Sequence, residues 1–174
     1  MEFLNALKER IPEYAKDIRL NLDAVLARSS LDAADALGAG LAAAYAARSS
    51  TIVDAIRKSG ALSDVDTNAA LSAAALMGMN NVWYPYVEMA DDPDLKTQRA
   101  ELRMNAYATH GGVDKKRFEL FALSASIIGK CHFCVQSHYK MLKENGFTAQ
   151  QLRDVGRIAA VIAAAALALD AEKA

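Results

Sequence analysis

Apolar residues recur at helical spacing along almost the whole chain, while the strict alternation of a half-buried strand is nearly absent. Alanine, the strongest helix former, is about a fifth of all residues, and there are only three prolines. Leu4, Leu7 and Ile11 make a first stripe that Pro12 breaks, and Tyr14, Ile18, Leu22, Val25 and Leu26 continue it. Leu31-Asp32 starts a helix through Leu37, Leu41 and Tyr45. Ser49-Ser50-Thr51 supplies hydroxyl caps for a short helix over 52–57 that Ser59-Gly60 ends. Asp64 or Asp66 caps a helix over 69–83, after which Pro85 and Asp91-Asp92-Pro93-Asp94 mark a loop. The stretch 95–108 reads as one helix, broken at Gly111-Gly112. Asp114 caps a helix ending near Gly129-Lys130, Cys131 opens another that stops at Asn145-Gly146, and Thr148 caps the last. The expected fold class is all-α, with about seven or eight helices.

At 174 residues, 53% hydrophobic and 24% charged, the chain has a globular composition rather than a disordered one. Its net charge of -1 leaves no basic excess for gripping phosphates, so no nucleic-acid partner is expected. The longest apolar run, 158–169, is 12 residues against the roughly 20 that span a bilayer, and no membrane role is expected. The charged, periodic start is unlike a secretory signal, so a soluble, cytoplasmic protein is predicted. No linker divides the chain, and 1–174 reads as a single domain. A faint repeat relates 75–83 to 126–134, offset by 51 residues, with Asn80 and Trp83 standing where Cys131 and Cys134 stand later. It divides the domain into a scaffold half, about 1–90, and a redox-active half, about 91–174.

The two cysteines, Cys131 and Cys134, form a C-x-x-C. That is too sparse for a secreted disulfide scaffold, which leaves redox chemistry, half of a metal site, or coincidence. On a helix starting near Cys131, Cys134 lies one turn on and His138 a further turn, so two sulfurs and an imidazole share a face. A break at Gly129-Lys130 folds Glu119 of the preceding helix back beside them. These are the parts of a thiol proton relay. A thiolate attacks peroxides and disulfides, and a helix N-terminus or an imidazolium lowers a thiol pKa from roughly 8.5. A second thiol one turn away condenses with a sulfenic acid to a disulfide, and the spacing predicts a reversible Cys131–Cys134 bond. His138, steered by Glu119, moves the proton. Each group also has a plain structural alternative: buried cysteines as small hydrophobes, His138 on the surface, Glu119 as a solvated helix charge. A zinc site needs four ligands, and Cys131, Cys134, His138 and Glu119 would supply them, but one helix face is an unusual source for structural zinc. His132 points to a different face, His110 reads as a loop residue, and Met77, Met79, Trp83, Phe118 and Phe121 read as packing.

The pattern Glu119-x11-Cys131-x-x-Cys134-x3-His138 resembles the active-site signature of the alkyl hydroperoxidase AhpD family, a branch of the carboxymuconolactone decarboxylase-like superfamily. Pro12-Glu13-Tyr14-Ala15-Lys16-Asp17-Ile18, Met77-Gly78-Met79-Asn80-Asn81-Val82 and Leu102-Arg103-Met104-Asn105 extend the likeness over nearly the whole chain. The resemblance implies an internally duplicated helical fold assembled as a homotrimer. It also implies a lipoyl-dependent antioxidant peroxidase that reduces organic hydroperoxides and passes electrons to the peroxiredoxin AhpC. The external reductant so implied is dihydrolipoamide, carried as a lipoyl group on a dihydrolipoamide acyltransferase, with no bound cofactor and no metal. By position, Cys134 resembles the peroxide-reacting cysteine, Cys131 the proton donor and resolving thiol, and Glu119 and His138 the relay. Helix-dipole reasoning alone favours Cys131 as the attacking sulfur, whereas the four-residue step from Cys134 to His138 agrees with the resemblance. Some family members carry a histidine directly before the second cysteine, where this chain has Phe133, so His132 stays outside the catalytic set. Two other functions compete: a cofactor-free decarboxylase like the superfamily's namesake, and a metal-binding or docking helical module. Neither requires the C-x-x-C as a dithiol.

Overall fold

The computed structural model describes residues 2–172. Among these, ten α-helices and two short 3-10 turns account for the regular structure, with no strand. In chain order they are α1 (Glu2–Arg10), α2 (Lys16–Leu26), α3 (Ala33–Ala46), α4 (Ser50–Lys58), α5 (Asp64–Ala90), α6 (Pro93–Thr97), α7 (Asn105–Thr109), α8 (Lys115–Gly129), α9 (His132–Glu144) and α10 (Ala149–Ala171). The all-α class is as the periodicity predicted, but the helices outnumber the expected seven or eight.

Three helices, α3, α5 and α8, pack mutually at the centre, with α10 laid against α3, α8 and α2, and α9 against α8 and α5. Alanine and glycine make this possible. In α3 the consecutive residues from Ala36 to Ala44 are all buried, so small side chains face neighbours on every side. A Cβ on Gly38 would stand 2.3 Å from the Phe121 ring, so α8 lays its aromatic directly on the α3 backbone. Ser124 adds a tie across the same interface, its hydroxyl donating to the Ala39 carbonyl at 2.8 Å. The end of α8 is seated on α5 in the same way. A Cβ on Gly129 would lie 2.1 Å from Nδ2 of Asn81, which donates to the Ala125 carbonyl at 3.2 Å.

Helix starts follow local chemistry. Asp32, Ser49, Asp114 and Thr148 each accept an amide of their own first turn, and Thr148 with Gln151 completes a capping box. Arg117, near the start of α8, reaches Asp35 at 2.7 Å, Asp66 at 3.1 Å and Asp32 at 3.4 Å, tying the starts of α3, α5 and α8 together.

Three expectations are corrected. The cap of α5 is Ser63, whose hydroxyl accepts from the Asp66 amide at 3.0 Å; the aspartates lie inside the first turn. Pro85 does not open a loop, because α5 continues to Ala90. Contacts on either side of the proline offset its lost amide: Tyr84, just before it, stacks on Phe133 of α9 at 4.3 Å, and Glu88, beyond it, pairs with His132 at 3.2 Å. The stretch 95–108 is two short helices, not one. Gln98 is extended (φ -74°, ψ 141°) and Glu101 is left-handed (φ 51°), and neither α6 nor α7 buries a residue that would reward a continuous helix.

Candidate active site

The four residues singled out by spacing come together where α8 and α9 pack side by side. The turn between those helices sets the geometry. Lys130 takes a left-handed conformation (φ 53°), its amide bonding to Ile127 O at 3.2 Å, and the Cys131 amide reaches Ser126 O at 3.4 Å. This pair of bonds closes α8 and lets the next helix start one residue later. Cys131 is the N-cap of α9, and its Sγ accepts the Cys134 amide at 3.2 Å. The two cysteines are joined as a disulfide, their Cα atoms 5.3 Å apart, a separation that one helical turn provides. Both are buried, at 0% and 3% exposure.

His138, one turn beyond Cys134, is buried on the same side of α9. Its Nδ1 lies 2.5 Å from Oε2 of Glu119, which is 1% exposed on α8. A carboxylate only accepts, so Nδ1 carries the proton. The second carboxylate oxygen, Oε1, accepts the Tyr107 hydroxyl of α7. Burial pushes the Glu119 carboxyl up, but hydrogen bonds from His138 and Tyr107, together with the His138 charge, outweigh it and leave Glu119 below its ordinary value. The same burial, the bond to Glu119 and its charge push the Tyr107 phenol far above its own. Tyr107 is therefore a donor at any working pH.

The other ring nitrogen of His138, Nε2, stands 3.2 Å from Sδ of Met77 on α5. Among the described residues neither imidazole nitrogen hydrogen-bonds to a cysteine sulfur. In this oxidised state the sulfurs hold each other and have no proton to give. His132, largely exposed, turns away to Glu88, and Phe133 stacks on Tyr84. Among the described residues no group of three or more His, Cys, Asp or Glu side chains is arranged to hold a metal ion.

Two contacts escaped the sequence reading. Met77 reads as core, which it is at 0% exposure, yet it also covers the His138 imidazole. Tyr107 sits in the stretch read as a single helix over 95–108, and only the observed placing of 105–109 beside Phe118 brings its hydroxyl to Glu119. No residue spacing announces that contact.

Known proteins resemble this chain over most of its length. The profile of the carboxymuconolactone decarboxylase family matches residues 93–174. Alkyl hydroperoxide reductase AhpD of Rhodospirillum centenum is 44% identical over 173 residues, covering 98% of this chain and 92% of its own. The AhpD of Maricaulis maris is 41% identical over 171 residues, covering 97% and 98%, and that of Streptomyces coelicolor 40% over 171, covering 97% and 96%. The end-to-end likeness, with a C-x-x-C disulfide beside a buried carboxylate–imidazole pair, means that this chain belongs to the AhpD family of alkyl hydroperoxide reductases.

Proposed function

We propose that the protein is an antioxidant thiol peroxidase that reduces organic hydroperoxides through a Cys131–Cys134 dithiol/disulfide cycle. The observation that carries this reading is the buried disulfide at the start of α9 together with the buried Glu119–His138 pair, 2.5 Å apart, whose imidazole lies one turn beyond Cys134 on the same helix. In the reduced protein, His138 takes the proton of Cys134 as its Nε2 exchanges Met77 for the freed sulfur. The Cys134 thiolate attacks one peroxide oxygen: an S–O bond forms, the O–O bond breaks, and the alkoxide leaves as the alcohol with the proton from His138. Cys131 then attacks the sulfenic acid, the S–S bond forms, and hydroxide leaves as water with the Cys131 proton. One hydroperoxide and two thiols thus become one alcohol, one water and one disulfide.

A helix N-terminus biases Cys131 towards thiolate by roughly 0.3–1 kcal/mol, whereas positioned proton transfer is worth about 10²–10⁴ in rate. That difference supports Cys134 as the attacking sulfur even though Cys131 accepts the helix amide. Dihydrolipoamide, presented as a lipoyl group on a dihydrolipoamide acyltransferase, is the proposed reductant, and AhpC the proposed electron acceptor, in the cytoplasm. The proposed assembly is a homotrimer. The buried alanines of α10, Ala159, Ala165, Ala166 and Ala168, are used inside the chain. Support comes instead from exposed Val82, Tyr86 and Met89, which share one face of α5.

The test is dimedone trapping of the sulfenic acid in single variants. Cys131→Ser is expected to label at Cys134, and Cys134→Ser to react barely at all. Labelling only in Cys134→Ser would reverse the two roles, and peroxide consumption unaltered by both changes would overturn the proposal.

A further inference from the structure

The two oxygens of Glu119 serve different partners. Oε2 meets Nδ1 of His138 at 2.5 Å, and Oε1 accepts the Tyr107 hydroxyl. Tyr107 is delivered by α7, a five-residue helix with no fully buried residue; its ring packs half-buried against the core and its hydroxyl reaches past it to the carboxylate. Its ring is set edge-on against Phe118 at 5.8 Å, one residue from Glu119, and lies 6.2 Å from the His110 ring. The charged and titratable groups facing Glu119 are therefore His138 from α9, Tyr107 from α7 and Lys115 from its own helix, with His110 beside the tyrosine.

We infer that Tyr107 is a positioning residue of the relay: its hydroxyl locks the Glu119 carboxylate so that Oε2 is held on Nδ1 of His138, which leaves Nε2, here against Met77, as the nitrogen that serves the cysteine in the reduced protein. The inference rests on the Glu119–His138 relay proposed above. The terminal torsion of a glutamate is soft, with a broad two-fold profile, so one hydrogen bond leaves the carboxylate free to rock about its axis. A second bond, to the other oxygen and from a different helix, removes that freedom. It also stabilises the ionised form in a place where burial opposes ionisation. A phenol suits the task because it donates one proton and, beside a carboxylate, does not ionise. An imidazole whose Nδ1–H is held in this way keeps Nε2 as its only site for proton exchange.

Tyr107→Phe deletes the hydroxyl and keeps the ring on Phe118. The assay uses the reduced protein, cumene hydroperoxide and dihydrolipoamide. The expected result is a fall in kcat of about tenfold with KM changed by less than about twofold, and an acid limb of the rate profile moved to higher pH. The sign follows because a carboxylate that loses a donor to its ionised form protonates more easily. In a Glu119→Gln background, removing the hydroxyl is expected to cost nothing further, whereas a merely structural tyrosine would cost the same in both backgrounds. Tyr107→Phe with unaltered rate and acid limb, alongside an inactive Glu119→Gln, overturns the inference and leaves the relay intact. A fully active Glu119→Gln overturns the relay itself. If Tyr107→Phe does not fold, a fluorinated tyrosine at 107 keeps the ring and strengthens the donor. It must move the acid limb to lower pH, and no movement there refutes the inference.

Discussion

A carboxylate as deeply buried as Glu119 stays ionised only while its oxygens are satisfied, and here the imidazole and a phenol do so from two different helices. Glu119→Gln keeps the volume but removes the charge held on Nδ1 of His138, so under the proposed relay peroxide turnover is expected to fall about 10²-fold or more. The same substitution has a sign in stability. The folded pKa of Glu119 is lowered, so its contribution is full above the unfolded value of about 4.3 and is lost as pH falls through the folded value. Urea unfolding followed into acid should therefore weaken for the native chain and be flatter for Glu119→Gln. An identical acid slope in the two proteins would contradict this. Regular helical spacing was enough to put Cys131, Cys134 and His138 on one face, whereas Glu119, on the preceding helix, stood out through the family resemblance. Met77 and Tyr107 were not legible, since their roles arise from which side chains meet across α5, α7, α8 and α9.

Among the elements, the α8–α9 junction and the α10 anchor make separate predictions. Lys130 holds a left-handed conformation (φ 53°) that costs a side-chain-bearing residue about 1 kcal/mol, so Lys130→Gly should stabilise the protein by roughly 0.5–1 kcal/mol. Asp154 on α10 is nearly fully buried and accepts from the Ser30 amide at 2.9 Å, the Ser30 hydroxyl at 2.8 Å and Arg157 at 3.0 Å. Burial raises its pKa, but these bonds and Arg153 outweigh it and hold the group well below its usual value. Asp154→Asn should cost about 2–4 kcal/mol near neutral pH, and less in acid as the native carboxylate protonates. Equilibrium denaturation measures both changes. Helix starts were legible because their caps are chemical: Asp32, Asp114 and Thr148 all act as predicted. Pro85 and the stretch 95–108 were misread because tertiary contacts, not local propensity, decide them. Tyr84 and Glu88 find α9 and carry α5 onward, whereas 98–104 has no burial to hold it helical.

For the whole molecule, a redox cycle requires a fold that outlasts its own disulfide. The Cys131–Cys134 bond closes only one helical turn, for which chain entropy gives about 2 kcal/mol, so reduction should lower Tm by roughly 4–8 °C. Far-UV circular dichroism of the reduced protein should keep its helical signal, because α3, α5, α8 and α10 supply the core without either sulfur. Light scattering should give three times the monomer mass. The all-α class was legible throughout, since helical periodicity and small residues admit little else. The central claim is that these two cysteines are the peroxide-reducing dithiol, and mass spectrometry tests it most directly. The reduced chain is mixed with one equivalent of cumene hydroperoxide and then alkylated. The account predicts loss of two hydrogens, no alkylation at Cys131 or Cys134, and full reversal by dihydrolipoamide. Consumption of the peroxide with both thiols still open to alkylation would contradict it.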